Sequence, residues 1–169
     1  MKWIMAFAAI TLALISVTRS QTPSNQTDNG VLSEASEEKN LYPADADAQK
    51  ETKAALQHAS ESHKRVLLVF GGNWCYDCHV LDKALHEGEA GRIMSEGFVL
   101  VHVDIGEADK NLDLTKKYNI PLDKGVPAVA VLKSDGKLVY SSGGGEFEAA
   151  RTMMRKDLVA FLKRWQEEK

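Results

Sequence analysis

The stretch Val66-Leu67-Leu68-Val69-Phe70-Gly71-Gly72-Asn73-Trp74-Cys75-Tyr76-Asp77-Cys78 joins an unbroken apolar run to a glycine turn and a pair of cysteines. Five consecutive apolar residues, with no polar residue alternating between them, predict a strand buried on both faces. Gly71-Gly72-Asn73 breaks that strand. Trp74-Cys75 then opens a helix to about His86, with Val80, Leu81, Ala84 and Leu85 as its apolar positions. Two cysteines therefore sit at the start of a helix that leaves a buried strand. A helix N-terminus carries partial positive charge and free N–H groups, and both favour a thiolate. Cys75 and Cys78 are the chain's two cysteines. A structural framework uses more cysteines and closes longer loops, so this pair reads as a reactive dithiol. Cys75, at the helix start, is the expected attacking group. Cys78, one turn in and more shielded, is expected to resolve the mixed disulfide.

Ahead of this strand the pattern predicts a helix over about 44–62, with Ala48, Ala55, Leu56 and Ala59 near one face. After the dithiol helix, Glu89 to Glu96 reads as a short second helix. Phe98 to Val103 is a second strand, with His102 as a core or sheet-face histidine. Ala108 to Tyr118 reads as a helix anchored by Leu112, Leu114 and Tyr118, and Pro121 stops it. A third strand runs from Ala128 to Leu132. Ser134-Asp135-Gly136-Lys137 is a turn signal that pairs Leu138–Ser141 with it as a hairpin. The last helix carries Met154, Leu158, Phe161, Leu162 and Trp165 on a stripe that should dock on the sheet. The expected fold is α/β: a central mixed four-stranded sheet flanked by helices, with an extra N-terminal helix. Helix-connected strands imply parallel pairing of the first three, and the hairpin adds an antiparallel edge.

The ends read differently from the middle. Lys2 followed by the apolar run Trp3 to Val17, then Thr18-Arg19-Ser20, has the layout of a signal peptide over residues 1–20. The run is shorter than the roughly 20 residues a spanning helix needs. An uncleaved anchor is the competing reading, and either one places the rest of the chain outside the cytosol, in the periplasm or the extracellular space. Residues 21–43 are rich in Ser, Thr, Asn, Gln, Asp and Glu and read as a disordered linker; 44–169 is the folded domain. The chain has 169 residues, 44% hydrophobic and 27% charged, with a formal net charge of −3. Loss of Lys2 and Arg19 would make it more acidic still, which argues against nucleic-acid binding.

Trp74-Cys75-x-x-Cys78 after an apolar strand, with Gly125-Val126-Pro127-Ala128 before a later strand and hairpin, resembles the thioredoxin family, in particular its exported thioredoxin-like domains. The resemblance covers about 44–169. It implies dithiol–disulfide exchange with protein substrates, a cis Pro127 lying against the dithiol, and Val126 backbone free to pair with an extended substrate. It implies no cofactor and no metal, and electrons from a partner, usually a membrane-embedded thiol-transfer protein. A monomer is expected. Trp74 and Tyr76 would border the substrate. Two departures stand out. Val69 occupies the place where many relatives carry a buried Asp that assists proton transfer, and Leu100 lies near the place of its lysine partner. Proton transfer then falls to water, His79 or another group. The stretch from Ile120 to Pro127 is also longer than in compact relatives.

Asp77 would raise the Cys75 pKa by charge repulsion and favour a reductase. The alternative for Asp77 is a solvated residue in a first helical turn. Two rival functions share the motif. Cys75-x-x-Cys78-His79 matches a c-type haem attachment site, with Met94, Met153 or Met154 as a second axial ligand, but four apolar strands do not suit that class. Two Cys and a His could also contribute to a metal site on a binding module, which would need a fourth ligand.

Overall fold

The structure is a computed structural model, and it describes residues 29–167. The expected signal peptide lies outside the described residues. Helix α1 (Ala48–Ser62) starts at Asp47, whose carboxylate accepts the Lys50 N–H. Strand β1 (Arg65–Gly71) is buried along its whole length. Helices α2 (Tyr76–His86) and α3 (Gly88–Gly97) follow, then strand β2 (Phe98–Asp104). A short helix α4 (Leu112–Lys117) precedes β3 (Ala128–Leu132), β4 (Leu138–Ser141) and the C-terminal helix α5 (Arg155–Glu167).

The four strands form one mixed sheet in the order β2-β1-β3-β4. Its two faces follow from the alternation of side chains along β1. Leu67 and Val69 join Val129 and Val131 under α2, α3 and α5, where the expected stripe of Leu158, Leu162 and Trp165 docks. Val66, Leu68 and Phe70 join Ala128, Ala130 and Leu132 against α1 and the α4 region.

One pairing differs from the expectation. Strand β2 is parallel to β1, but β3 is antiparallel to it, with Phe70 opposite Ala128. The cause is the length of α4. Its 6 residues span about 9 Å, far less than a seven-residue strand at roughly 3.3 Å per residue. The chain therefore caps the end of the sheet instead of returning along it, and β3 starts where β1 and β2 stop. The helix predicted from Ala108 is shorter because Ala108 and Asn111 adopt left-handed backbone, at φ 68° and 50°. Leu112, expected as an anchor, is 48% exposed, whereas Leu114 and Tyr118 are buried.

The segment expected as a linker is also different from residue 29 onward. Leu32, Leu41 and Tyr42 are buried in the domain. Leu32 N–H donates to the Met153 carbonyl at 2.9 Å, and Ser36 N–H donates to the His79 carbonyl at 2.9 Å. This stretch is a strap laid across α2 and the start of α5. No helix among the described residues is long and apolar enough to cross a membrane.

Candidate functional site

The end of β1 delivers the dithiol. Gly71-Gly72-Asn73 turns the chain, and Cys75 becomes the N-cap of α2, its sulfur accepting the Cys78 N–H at 3.1 Å. Cys75 and Cys78 are joined as a disulfide. Cys75 is 5% exposed and Cys78 0%, so the outer sulfur is the one at the helix start. The Val126–Pro127 peptide is cis, and the Val126 carbonyl oxygen lies 3.6 Å from the Cys75 sulfur. Together they border a groove of about 570 Å³ whose walls include Trp74, Tyr76, Leu122, Val126, Glu148 and Arg151. Trp74 and Tyr76 are 57% and 51% exposed, and the Trp74 indole N–H is anchored on the Gly106 carbonyl at 3.0 Å. Leu122 comes from a 3-10 turn, Leu122–Lys124, in the stretch read as unusually long.

Asp77 is neither solvated nor facing the sulfurs alone. It is buried, and Arg151 grips it: the Arg151 backbone N–H donates to Oδ1 at 2.8 Å, and the guanidinium Nε reaches Oδ1 and Oδ2 at 3.1 and 3.0 Å, with Nη2 also on Oδ2. The same guanidinium lies over the Tyr76 ring, 5.1 Å from its centroid. Burial pushes the Asp77 carboxyl up, but the hydrogen bonds and positive charge of Arg151 outweigh it and hold the carboxyl below its ordinary value. A depressed carboxyl contributes stability that is full above the unfolded range, near pH 4, and is lost as pH falls through the lower folded value. Asp77→Asn should therefore be less stable than wild type at pH 7, with the gap closing below about pH 3. Denaturant melts of both proteins across pH check this; a gap that stays constant with pH contradicts the role given to the pair.

The strap supplies the site's unexpected members. The Asn73 side chain holds Tyr42 in both directions: Oδ1 accepts the Tyr42 N–H at 2.9 Å, and Nδ2 donates to the Tyr42 carbonyl at 2.8 Å. Leu41 and Tyr42 pack in one cluster with Cys75 and Cys78. The apolar pairs Val31-Leu32 and Leu41-Tyr42, set in an otherwise polar stretch read as a linker, are the signal that could have revealed docking. Arg151 had no such signal, being one of many surface cations. Val69 is buried in the apolar face under α2, so no carboxylate stands there. Leu100 packs against that same face. His79, half-buried, places Nε2 3.0 Å from the Asn73 carbonyl. Met94 and Met153 pack in or against the core with α5. Among the described residues, no group of three or more His, Cys, Asp or Glu is placed to hold a metal ion.

The thioredoxin-like family model matches residues 47–134. The disulphide isomerase of Xylella fastidiosa Temecula1 is 41% identical, with a TM-score of 0.68; the match covers 73% of this chain and 94% of that one. The oxidised C-terminal domain of DsbD from Neisseria meningitidis is 21% identical at a TM-score of 0.52, covering 71% of this chain and 97% of that domain, a likeness of fold. No curated protein matches the sequence.

Proposed function

The chain belongs to the thioredoxin-like family and is a thiol–disulfide oxidoreductase, and from that premise we propose that it works from its dithiol form as a reductase of protein disulfides, with Cys75 attacking and Cys78 resolving. The observation that carries this is the placement of the two sulfurs. The Cys75 sulfur borders the groove and accepts a helix N-terminal N–H, while Cys78 is fully enclosed. An incoming disulfide meets Cys75 first. Its thiolate attacks one substrate sulfur and releases the other. The Cys78 sulfur then displaces the bound one, and two electrons have passed to the substrate. Because resolution is intramolecular, it outruns capture by a second thiol, which favours net reduction.

In this reading the Val126 backbone pairs with an extended substrate segment, next to Pro127, and Trp74 and Tyr76 supply apolar contact on either side. Arg151 offsets the Asp77 charge, so Asp77 alone no longer sets the direction of exchange. We propose further that the protein acts as an exported monomer, in the periplasm or extracellular space, after removal of residues 1–20. There, protein disulfides persist, and a membrane thiol-transfer protein would return the disulfide to the dithiol. Isomerisation is the second reading, favoured by the 41% identity to a disulphide isomerase. It uses the same first attack but returns the bound sulfur to another substrate thiol.

Equilibration of the Cys75–Cys78 pair with glutathione tests the direction. A reductase should give a potential of about −200 to −270 mV, and a value near −120 mV would mark an oxidant and refute the proposal.

A further inference from the structure

Tyr42 is 1% exposed, and its hydroxyl has no hydrogen-bond partner among the described residues. A buried phenol without a partner is costly, yet this one is held in place: Asn73 clamps its backbone from both sides. Its position explains what it is held for. A Cβ built on Gly71 would fall 2.5 Å from the Cys78 sulfur and 2.6 Å from the Tyr42 hydroxyl. Sulfur and hydroxyl thus lie over the same glycine, no further apart than those two distances together. Gly71, having no side chain, leaves that space open to both.

We infer that Tyr42 is a positioning residue for the resolving cysteine: its hydroxyl donates a hydrogen bond to the Cys78 thiolate when the dithiol is reduced. This rests on the reading of Cys78 as the resolving group. The Cys75 sulfur has the Cys78 N–H to lean on, but Cys78 lies one turn inside the helix and buried. A thiolate there needs a donor. Val69 offers neither a proton relay nor a polar contact. In the disulfide, Cys78 carries no charge and is a weak acceptor, which leaves the hydroxyl idle. The groups that face Tyr42 are Asp82 on α2 and His102 and Asp104 on β2; the His102 ring meets the Tyr42 ring edge-on at 5.2 Å. Burial first, then the charges of Asp82 and Asp104, push the phenol far above its ordinary value. It therefore stays protonated and acts as a donor. In the resolving step, Cys78 has released its proton to solvent, and its thiolate attacks the Cys75 sulfur. The Cys75–Cys78 bond forms, the Cys75–substrate bond breaks, and the substrate sulfur leaves as a thiolate that takes up a proton. Tyr42 holds its own proton throughout.

Tyr42→Phe removes the hydroxyl and keeps the ring. In a Cys75→Ala background, the ultraviolet thiolate absorbance of Cys78 should titrate about one to two pH units higher with Tyr42→Phe than without it. In the intact dithiol, the glutathione equilibrium should shift toward the disulfide. The disulfide form of Tyr42→Phe should melt at or above the wild-type temperature, and the reduced form below it. A merely structural tyrosine would shift both forms in the same direction. An unchanged Cys78 titration, or equal shifts of the two melts, overturns the inference. If the wild-type protein fails to reduce protein disulfides, the proposed function fails instead; the Cys78 titration still decides the role of Tyr42.

Discussion

Cys78→Ala stops net disulfide reduction entirely and leaves Cys75 covalently joined to whatever protein it has attacked. The Cys75 sulfur keeps its place at the groove and at the α2 N-terminus, so the first attack proceeds. Only the second is lost, because no other cysteine exists in the chain. The trapped species should run as a larger band on non-reducing gels and collapse on reduction. Mass spectrometry of the captured proteins would then name the substrates. Cys75→Ala should capture none. If Cys78 does the capturing, the order of attack is reversed. The same variant separates the two proposed directions. Isomerisation requires the Cys75 thiolate alone, so rearrangement of mispaired disulfides in a test substrate should survive Cys78→Ala, while net reduction should not.

The second large effect is on stability. Tyr42→Ala should lower the unfolding free energy by about 3–5 kcal/mol, the range for deleting a buried aromatic ring from a packed site. Glu37→Ala, on the exposed part of the same strap, should change it by less than about 0.5 kcal/mol. Chemical denaturation of the disulfide form measures both. If Tyr42→Ala costs under about 1 kcal/mol, residues 29–43 are a tether and not part of the folded body.

The strand–turn–helix around the dithiol was legible because each step has a local signal: an unbroken apolar run, two glycines, then helical spacing of Val80, Leu81, Ala84 and Leu85. The stripe on α5 and the β3–β4 hairpin were legible for the same reason. The direction of β3 was not, because it depends on how far α4 carries the chain. The left-handed residues Ala108 and Asn111 shorten that helix without an obvious mark in composition. The strap was hidden by averaging: four apolar residues, Val31, Leu32, Leu41 and Tyr42, vanish in a polar window although three of them are buried. The Asp77–Arg151 pair joins positions 74 residues apart, and no periodicity reports a contact at that range. The pair changes the electrostatics of the motif, since Arg151 balances the charge of the carboxylate inside the dithiol loop.

The strap also determines how the protein can be handled. Its first described residues bond to the start of α5: the Arg155 N–H donates to the Gly30 carbonyl at 2.8 Å, and Ser33 lies under the Tyr76 hydroxyl at 3.4 Å. Gly30 and Ser33 therefore lie beside the rim of the groove. The far end of α5 is 13 residues on, about 20 Å away. An affinity tag or surface linkage joined directly to residue 29 would crowd the approach of a bulky substrate, whereas the same addition after α5 would leave it open. Comparing the two fusions with a small disulfide and a large protein disulfide would show the difference as a loss confined to the large one.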